Sequence, residues 1–204
     1  MAADEFDALL QSILQEWNKA EKAIKIAEQI DDEIVTPAIF ELRYAGRRLI
    51  EALACREQDE AKALGLLSDA EFDCHRARHD AIDAATIKMV GDLTVAEDKI
   101  GTGIILSHFA DFPKLLRRLF EVRKKVAISR DKRDDRDAIY DTISSGNLDE
   151  IVSIFYDFRA SEDLMVQLAV KERRAAFRNN VFGYGGLSFG VLSILTSIIL
   201  YFYS

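Results

Sequence analysis

The sequence predicts an all-α protein, in which a helical bundle with long, coiled-coil-like helices is followed by one C-terminal transmembrane helix. Three observations predict this class. Only 10 Gly and 2 Pro occur among 204 residues, and no run alternates apolar and polar residues as a half-buried strand would. Apolar residues recur instead at spacings of three and four, as on one face of a helix. All charged residues lie at or before Arg178, so the last 26 residues carry none.

The first two predicted helices follow from their apolar faces and start signals. The first has an apolar seam of about three heptads, made of Phe6, Leu10, Ile13, Trp17, Ala20, Ile24 and Ala27. Thr36-Pro37 predicts the start of the second helix, because Thr is a favoured N-cap and Pro is tolerated at the first helical position. The predicted inner face of this helix is Ile39, Leu42, Gly46, Leu49 and Leu53.

Further helix starts are predicted by local capping patterns. Ser68-Asp-Ala-Glu71 and Thr94-Val-Ala-Glu97 each place a hydroxyl residue three positions before a Glu, as in a capping box. Asp111-Phe-Pro113 predicts another start, and the inward residues that follow are Leu115, Leu119, Val122 and Val126. Asn147-Leu-Asp-Glu150 begins a last helix that meets no strong stop before Tyr203. We expect five or six helices in all.

Residues 179–204 form an uncharged segment that predicts a membrane span. A helix of this length is about 39 Å long, whereas the hydrocarbon core of a bilayer is about 30 Å thick. Val, Leu, Ile and Phe make up nearly half of the segment. The alternative is a buried core helix, but such a helix normally carries a charged face. We therefore predict a single transmembrane helix.

Basic residues directly before the predicted span set its orientation. They are Lys171, Arg173, Arg174 and Arg178. Basic flanks remain in the cytosol, so the N terminus is predicted to be cytosolic. The acidic start of the sequence lacks the basic and apolar regions of a secretory signal. The predicted domains are therefore a cytosolic α-helical domain over residues 1–178 and a single-pass, tail-anchoring helix over residues 179–204.

A stripe of small residues within the predicted span indicates self-association. Its members follow one another at spacings of three and four, and they are Gly183, Gly186, Gly190, Ser193 and Ser197. Small residues allow transmembrane helices to approach closely. The sequence therefore predicts a homo-oligomer in the lipid bilayer. As an alternative, the same stripe faces water at the centre of a ring of helices and lines a pore.

Charge is distributed unevenly along the predicted cytosolic domain. Residues 1–112 are acidic overall and residues 113–178 are basic overall. One predicted helix carries a basic patch, which consists of Lys114, Arg117, Arg118, Arg123, Lys124 and Lys125. A solvated helix face explains this patch, and the alternatives are contact with anionic lipid headgroups or with an acidic protein. Nucleic acid is not an expected partner, because the stretch that carries the basic patch lacks the aromatic residues that stack on bases, apart from Phe120.

One helical face combines histidines with carboxylates. Glu71, His75, His79 and Asp83 follow one another at four-residue intervals and therefore share one face. Two His residues four apart can bind one metal ion, but four groups on a single helix cannot all reach it. The simpler interpretation is a polar helix face on which Arg76 and Arg78 pair with nearby acids. A metal site and a proton-sensitive histidine contact are the alternatives. No cofactor is predicted.

These features predict a non-enzymatic scaffold or adaptor that is anchored in a membrane, self-associates and binds an unknown cytosolic protein. One alternative is an oligomeric effector that forms pores or disrupts membranes. Another is an enzyme or metal-binding protein that uses the histidine face. Phosphate-loop, dinucleotide-binding and common hydrolase motifs are absent from the sequence. No family is recognised from its motifs.

Overall fold

The computed structural model describes residues 2–132, 134–146 and 148–202, and it describes side chains for residues 5–178 apart from 133 and 147. The described residues form helices and no strand, which confirms the predicted all-α fold. The helices are α1 (Ala2–Asp31), α2 (Thr36–Cys55), α3 (Glu60–Ile100), α4 (Thr102–His108), α5 (Phe112–Asp131), α6 (Arg136–Ser145) and α7 (Leu148–Phe202).

Contacts between residues divide the chain into two compact units. The first unit comprises Met1–Thr94 and Pro113–Phe155, and the second comprises Val95–Phe112 and Tyr156–Ser204. Both α3 and α7 contribute residues to both units. The boundaries predicted at residues 112 and 178 follow charge rather than contact, so the two divisions describe different properties of the chain.

Residues buried at seven-residue intervals form one part of the core of the first unit. Each of them is 2% exposed or less, and they are Phe6, Ile13, Ala20 and Ala27 on α1, Ala38, Ala45 and Ala52 on α2, and Ala63, Ala70 and Ala77 on α3. A strict seven-residue repeat is the pattern of helices that pack as coiled coils. Most of these residues are alanines, which allow neighbouring helix backbones to approach closely.

The inner face of α2 differs from the prediction. Ile39 is 40% exposed and Leu53 is 56% exposed, whereas the buried residues are Ala38, Leu42, Ala45 and Ala52. The prediction is correct for Leu42, and Gly46 lies against the Trp17 ring. The other buried residues are alanines rather than Ile39 and Leu53. The helix also begins without the expected cap, because Val35 occupies the N-cap position and makes no side-chain cap bond.

Both capping-box predictions are wrong, because α3 continues through Ser68 and Thr94 from Glu60 to Ile100. The helix is capped instead by Asp59, whose Oδ1 accepts a hydrogen bond from the backbone N–H of Lys62 at 3.0 Å. The face of α3 that carries Ala63, Ala70 and Ala77 is buried on both sides of Ser68. A local capping pattern does not end a helix whose buried face continues.

The remaining predictions for the first unit are borne out in part. The inward residues of α5 are buried as predicted: Leu115, Leu119, Val122 and Val126. The last helix begins at Leu148 and continues to Phe202, as expected, and the predicted cap Asn147 lies outside the described residues. Helix α6 was not predicted, because its short sequence buries only Tyr140 and Ile143.

Aromatic side chains form the centre of the second unit. The Phe158 ring on α7 lies 5.5 Å from the ring of Phe109 and 5.6 Å from that of Phe112, measured between centroids. Between α3 and α4, Gly101 adopts a φ of 95°, a conformation that side chains disfavour. This glycine therefore separates two helices that would otherwise continue into each other.

Within the part of the chain whose side chains are described, no helix has an apolar stretch long enough to cross a membrane. The predicted span at 179–204 and its stripe of small residues lie outside that part. The backbone of α7 is helical as far as Phe202.

Candidate functional site

Polar and charged side chains meet inside the first unit, where α1, α3 and α6 come together. We call them the buried ionic network, which consists of Glu16, Lys19, His75, Arg78, His79, Asp83, Asp137, Tyr140 and Asp141. Several polar atoms there are buried without a hydrogen-bond partner among the described residues, including Glu16 Oε2, Arg78 Nε and both ring nitrogens of His79. Buried polar groups are normally paired, so this network is the candidate site in the first unit.

Arg78 lies at the centre of the network, and its side chain is completely buried. Its Nη1 lies 2.5 Å from Asp141 Oδ1 on α6 and 3.3 Å from Glu16 Oε2 on α1. Its Nη2 lies 3.3 Å from Nδ1 of His75 on α3 itself. A buried guanidinium is tolerated only when opposite charges and hydrogen bonds surround it. Arg78 therefore connects three helices through charge.

The acidic partners of Arg78 are also held by Lys19. The Lys19 ammonium donates to Glu16 Oε1 at 2.6 Å and lies 3.4 Å from Asp141 Oδ1. Burial by itself would raise the pKa of Asp141, but the charges of Arg78 and Lys19 lower that pKa below its ordinary value. The hydrogen bond to Glu16 raises the pKa of Lys19. Asp141 and Lys19 are therefore charged at neutral pH.

His79 is held in its neutral form. Its side chain is 3% exposed, and its ring stacks on that of Tyr140 with centroids 3.9 Å apart. Burial lowers the pKa of His79 to about 3, and the positive charges of Arg136 and Arg78 add to this effect. Nε2 lies 3.1 Å from Asp137 Oδ1, but their geometry does not meet the criteria for a hydrogen bond. Asp137 is about half exposed, so it does not offset the desolvation of the ring.

Tyr140 and Asp83 form the end of the network farthest from α1. The Tyr140 hydroxyl donates to Asp83 Oδ1 at 2.6 Å, and Asp83 Oδ2 lies 3.5 Å from Nη2 of Arg130. Burial raises the pKa of Tyr140 to about 12, and the Asp83 carboxylate contributes to the increase. Tyr140 therefore acts as a hydrogen-bond donor over the whole physiological pH range.

The predicted histidine face lies along α3, but its members have separate partners. Glu71 accepts a hydrogen bond from Ser12, Asp83 accepts one from Tyr140, and His75 Nδ1 lies 3.2 Å from Glu16 Oε2. Among the described residues, no group of three or more His, Cys, Asp or Glu side chains is arranged to hold a metal ion. The two arginines of this stretch pair with acids, since Arg76 Nη2 lies 2.8 Å from Glu41 Oε1 and Arg78 Nη1 lies 2.5 Å from Asp141 Oδ1. His79 belongs to the interior.

The sequence predicted that Arg76 and Arg78 pair with nearby acids. It did not indicate which acids these are, so Glu16 on α1 and the α6 residues Asp137, Tyr140 and Asp141 were not predicted. One signal was present, because Glu16 belongs to a seven-residue repeat beside the seam whose other members, Leu9, Ala23 and Ile30, are apolar. Glu16 is only 7% exposed in the structure, and a charged residue in such a repeat indicates an ionic partner on a neighbouring helix.

The basic patch on α5 is distributed among different environments. Lys114 Nζ lies 2.8 Å from Glu150 Oε1, and Arg118 pairs with the other oxygen of the same carboxylate. Arg123 lines a cavity of about 260 Å³ that Asp83 also lines. Lys124 is exposed to solvent.

A second cavity, which we call the basic cleft, occupies the other side of the patch. Its volume is about 220 Å³, and it is lined by Arg117, Arg118, Glu121, Val122, Lys125, Ile143, Gly146 and Ile151. The cleft therefore lies where α5 meets the end of α6 and the first turn of α7. Three of its lining residues are basic and one is acidic.

The four basic residues that set the predicted membrane orientation lie on α7 in the second unit. All of them are exposed: Lys171, Arg173, Arg174 and Arg178. Arg173 additionally donates a hydrogen bond from Nη2 to the backbone carbonyl of Lys99 at 2.9 Å.

Comparison with known proteins finds no family model that matches this chain, and no curated protein or solved structure that is significantly similar to it.

Replacing Arg78 is expected to destabilise the first unit strongly. Arg78→Met leaves Glu16 and Asp141 without their central counter-charge, so the free energy of unfolding should fall by about 3 kcal/mol or more. The control is Arg47→Met, because Arg47 pairs with Glu51 on the surface, where an ion pair contributes about 0.5 kcal/mol. Urea unfolding of the full chain measures both variants. Losses of similar size would contradict the central role of Arg78.

The neutral state of His79 predicts a loss of stability in mild acid. Its pKa is about 3 in the folded protein and about 6.5 in the unfolded chain, so the unfolded state binds the additional proton between these values. The contribution of His79 to the free energy of unfolding is fully present above pH 6.5 and decreases as the pH falls towards 3. About 2 kcal/mol of this contribution is lost at pH 5.

The measurement is the free energy of unfolding between pH 7.5 and pH 5, compared with that of His79→Gln. Other titrating groups are common to both proteins, so the variant should lack only the contribution of His79. Identical pH dependence in the two proteins would show that His79 is not held neutral by the fold.

Proposed function

We propose that the protein is a non-enzymatic helical scaffold, anchored in a membrane through residues 179–204 and self-associating there, which binds a protein partner on the cytosolic side. One observation carries this proposal. Helix α7 extends over 55 residues from Leu148 to Phe202, which corresponds to about 80 Å. Its part beyond Arg178 contains no charged residue, and at about 36 Å that part matches the thickness of a bilayer.

The orientation is supported by the exposed basic residues on α7. Lys171, Arg173, Arg174 and Arg178 all lie within about two turns before the uncharged segment. Basic residues at this position favour the cytosolic face and attract anionic lipids. This arrangement supports a cytosolic location for the helical units that precede the segment.

Self-association is supported by two features of α7. The sequence from Gly183 to Ser197 carries the stripe of small residues that favours close helix contact in lipid. Ahead of this stripe, three apolar side chains remain exposed: Leu164 at 59%, Val170 at 38% and Phe177 at 72%. Val170 and Phe177 are seven residues apart and therefore share one face of α7, which a contact between copies of this part of the helix would cover.

A scaffold also agrees with the chemistry of the buried ionic network. Its charged groups contact one another, and His79, with a pKa of about 3, is a poor base at neutral pH. Cys74 is fully buried, and burial raises its pKa to about 12, so its thiol is unreactive. These properties favour a structural role for the network.

A pore-forming effector is the second candidate, because the stripe of small residues could instead line water at the centre of a ring of helices. The two functions differ in liposome leakage. Leakage by the full chain that is lost in Gly186→Leu would favour a pore, and membrane insertion without leakage would favour the scaffold.

Anchoring predicts that the full chain resists extraction from membranes by alkaline carbonate. The matched control is Leu192→Lys with Leu195→Lys, because two charges in the segment cost about 5–7 kcal/mol and offset its favourable transfer. We expect the full chain in the membrane pellet and the double variant in the supernatant. Release of the unaltered chain would overturn the anchor.

If the copies associate through the stripe, larger side chains in the stripe are expected to decrease the number of copies in the oligomer. Gly186→Ile and Gly190→Ile should lower the mass of the protein in mild detergent, because a branched side chain prevents close approach of the helices. Ser188→Ile is the control, since it adds a side chain of similar volume on the opposite face of the helix. The mass is measured by light scattering after size exclusion. An oligomer that resists both glycine replacements contradicts the role of the stripe.

A further inference from the structure

We propose that the basic cleft is a binding site for a phosphate monoester, carried either by a lipid headgroup or by a soluble compound. This site goes beyond the scaffold function, because it needs the first unit alone and does not require the anchor. The cleft combines three basic side chains, an apolar wall and the start of a long helix around one cavity of about 220 Å³. The volume of the cavity is several times the volume that one molecule occupies in liquid water, which is about 30 Å³.

The basic side chains of the cleft differ in how they are held. Arg118 is fixed by its ion pair with Glu150, which orients its guanidinium at the rim. Among the described residues, Arg117 and Lys125 have no ion-pair partner within 4 Å. Two cations that form no such ion pair therefore line the cleft beside an oriented guanidinium, together with one carboxylate, that of Glu121.

The other walls of the cleft increase the attraction for an anion. Val122, Ile143 and Ile151 are buried apolar residues in the lining, and apolar surroundings strengthen interactions between charges. Ile151 also belongs to the first turn of α7, where the helix carries partial positive charge. The end of α6, next to Gly146, carries partial negative charge that counteracts this contribution, so the apolar walls are the main factor that strengthens the attraction.

The donor set suits an anion with several oxygen atoms, such as phosphate. Arg117 and Arg118 are adjacent in sequence. Each planar guanidinium group can donate two parallel hydrogen bonds to two oxygens of one phosphate. Lys125 adds a compact charge from the next turns of the same helix. The lining contains no aromatic residue, so it lacks the stacking surface that a nucleic acid base requires.

The first experiment uses the purified full chain in neutral detergent micelles and titrates it with inorganic phosphate by calorimetry at constant ionic strength. Arg117→Gln with Lys125→Gln should weaken binding about tenfold or more, because it removes two charge-assisted contacts. The control is Arg123→Gln with Lys124→Gln, which removes the same charge from α5 outside the cleft and should change the affinity less than about twofold. Equal weakening in both double variants would overturn the site in favour of general electrostatic attraction.

Glu121→Gln is expected to change the affinity for phosphate in the opposite direction. This variant removes the acidic residue from the cleft lining, so phosphate should bind more tightly. Weaker binding in this variant would contradict an anion site at this position.

The second experiment identifies the source of the phosphate. The full chain is placed in phosphatidylcholine nanodiscs that contain either phosphatidic acid, a phosphate monoester, or phosphatidylglycerol, a phosphodiester, and the phosphorus resonances are recorded. Selective broadening of the phosphatidic acid signal that is lost in Arg117→Gln with Lys125→Gln assigns a lipid headgroup.

Binding of inorganic phosphate in micelles without that broadening assigns a soluble ligand. Binding in neither experiment overturns the proposal. Carbonate extraction of the same variant separates this result from the anchor, since loss of phosphate binding leaves extraction unchanged.

Discussion

The charge of Arg78 is the constraint on which the first unit depends. The Arg78 guanidinium lies close to Glu16 on α1 and to Asp141 on α6, so these helices are joined to α3 by charge as well as by apolar packing. An unpaired buried charge is far more costly than a lost methyl contact. Any arrangement that separates Arg78 from these carboxylates is therefore strongly disfavoured.

The same network supports the basic cleft from a distance. A helix as short as α6 is not stable alone in water, so its formation depends on tertiary contacts, including those of Tyr140 and Asp141 with α3. The end of this helix supplies Ile143 and Gly146 to the cleft. Interactions in the interior thus determine the shape of a cavity to which the network contributes no residue.

Sequence reasoning succeeded where one helix alone contains the information. The seams of α1 and α5 follow from their own periodicity, and the long α7 follows from the lack of a stop after Leu148. It failed where a second helix decides the outcome, as on α2, where alanines rather than Ile39 and Leu53 are buried. The histidines were recognised on α3, but their partners come from α1 and α6, and no spacing within one helix encodes that pairing.

The alanine core changes how this protein would respond to evolution. In most domains a core position tolerates loss of volume poorly, and a scan that truncates side chains reveals the interior. Here Ala38, Ala45, Ala63 and Ala70 are completely buried, and each side chain is already a single methyl group. Truncation of side chains therefore has little effect at these positions. The interior is instead vulnerable to growth, because each added methyl group would push two backbones apart. Natural variation at these positions should therefore be limited by an upper bound on side-chain size, and hydrophobicity alone would be a poor guide to which substitutions survive.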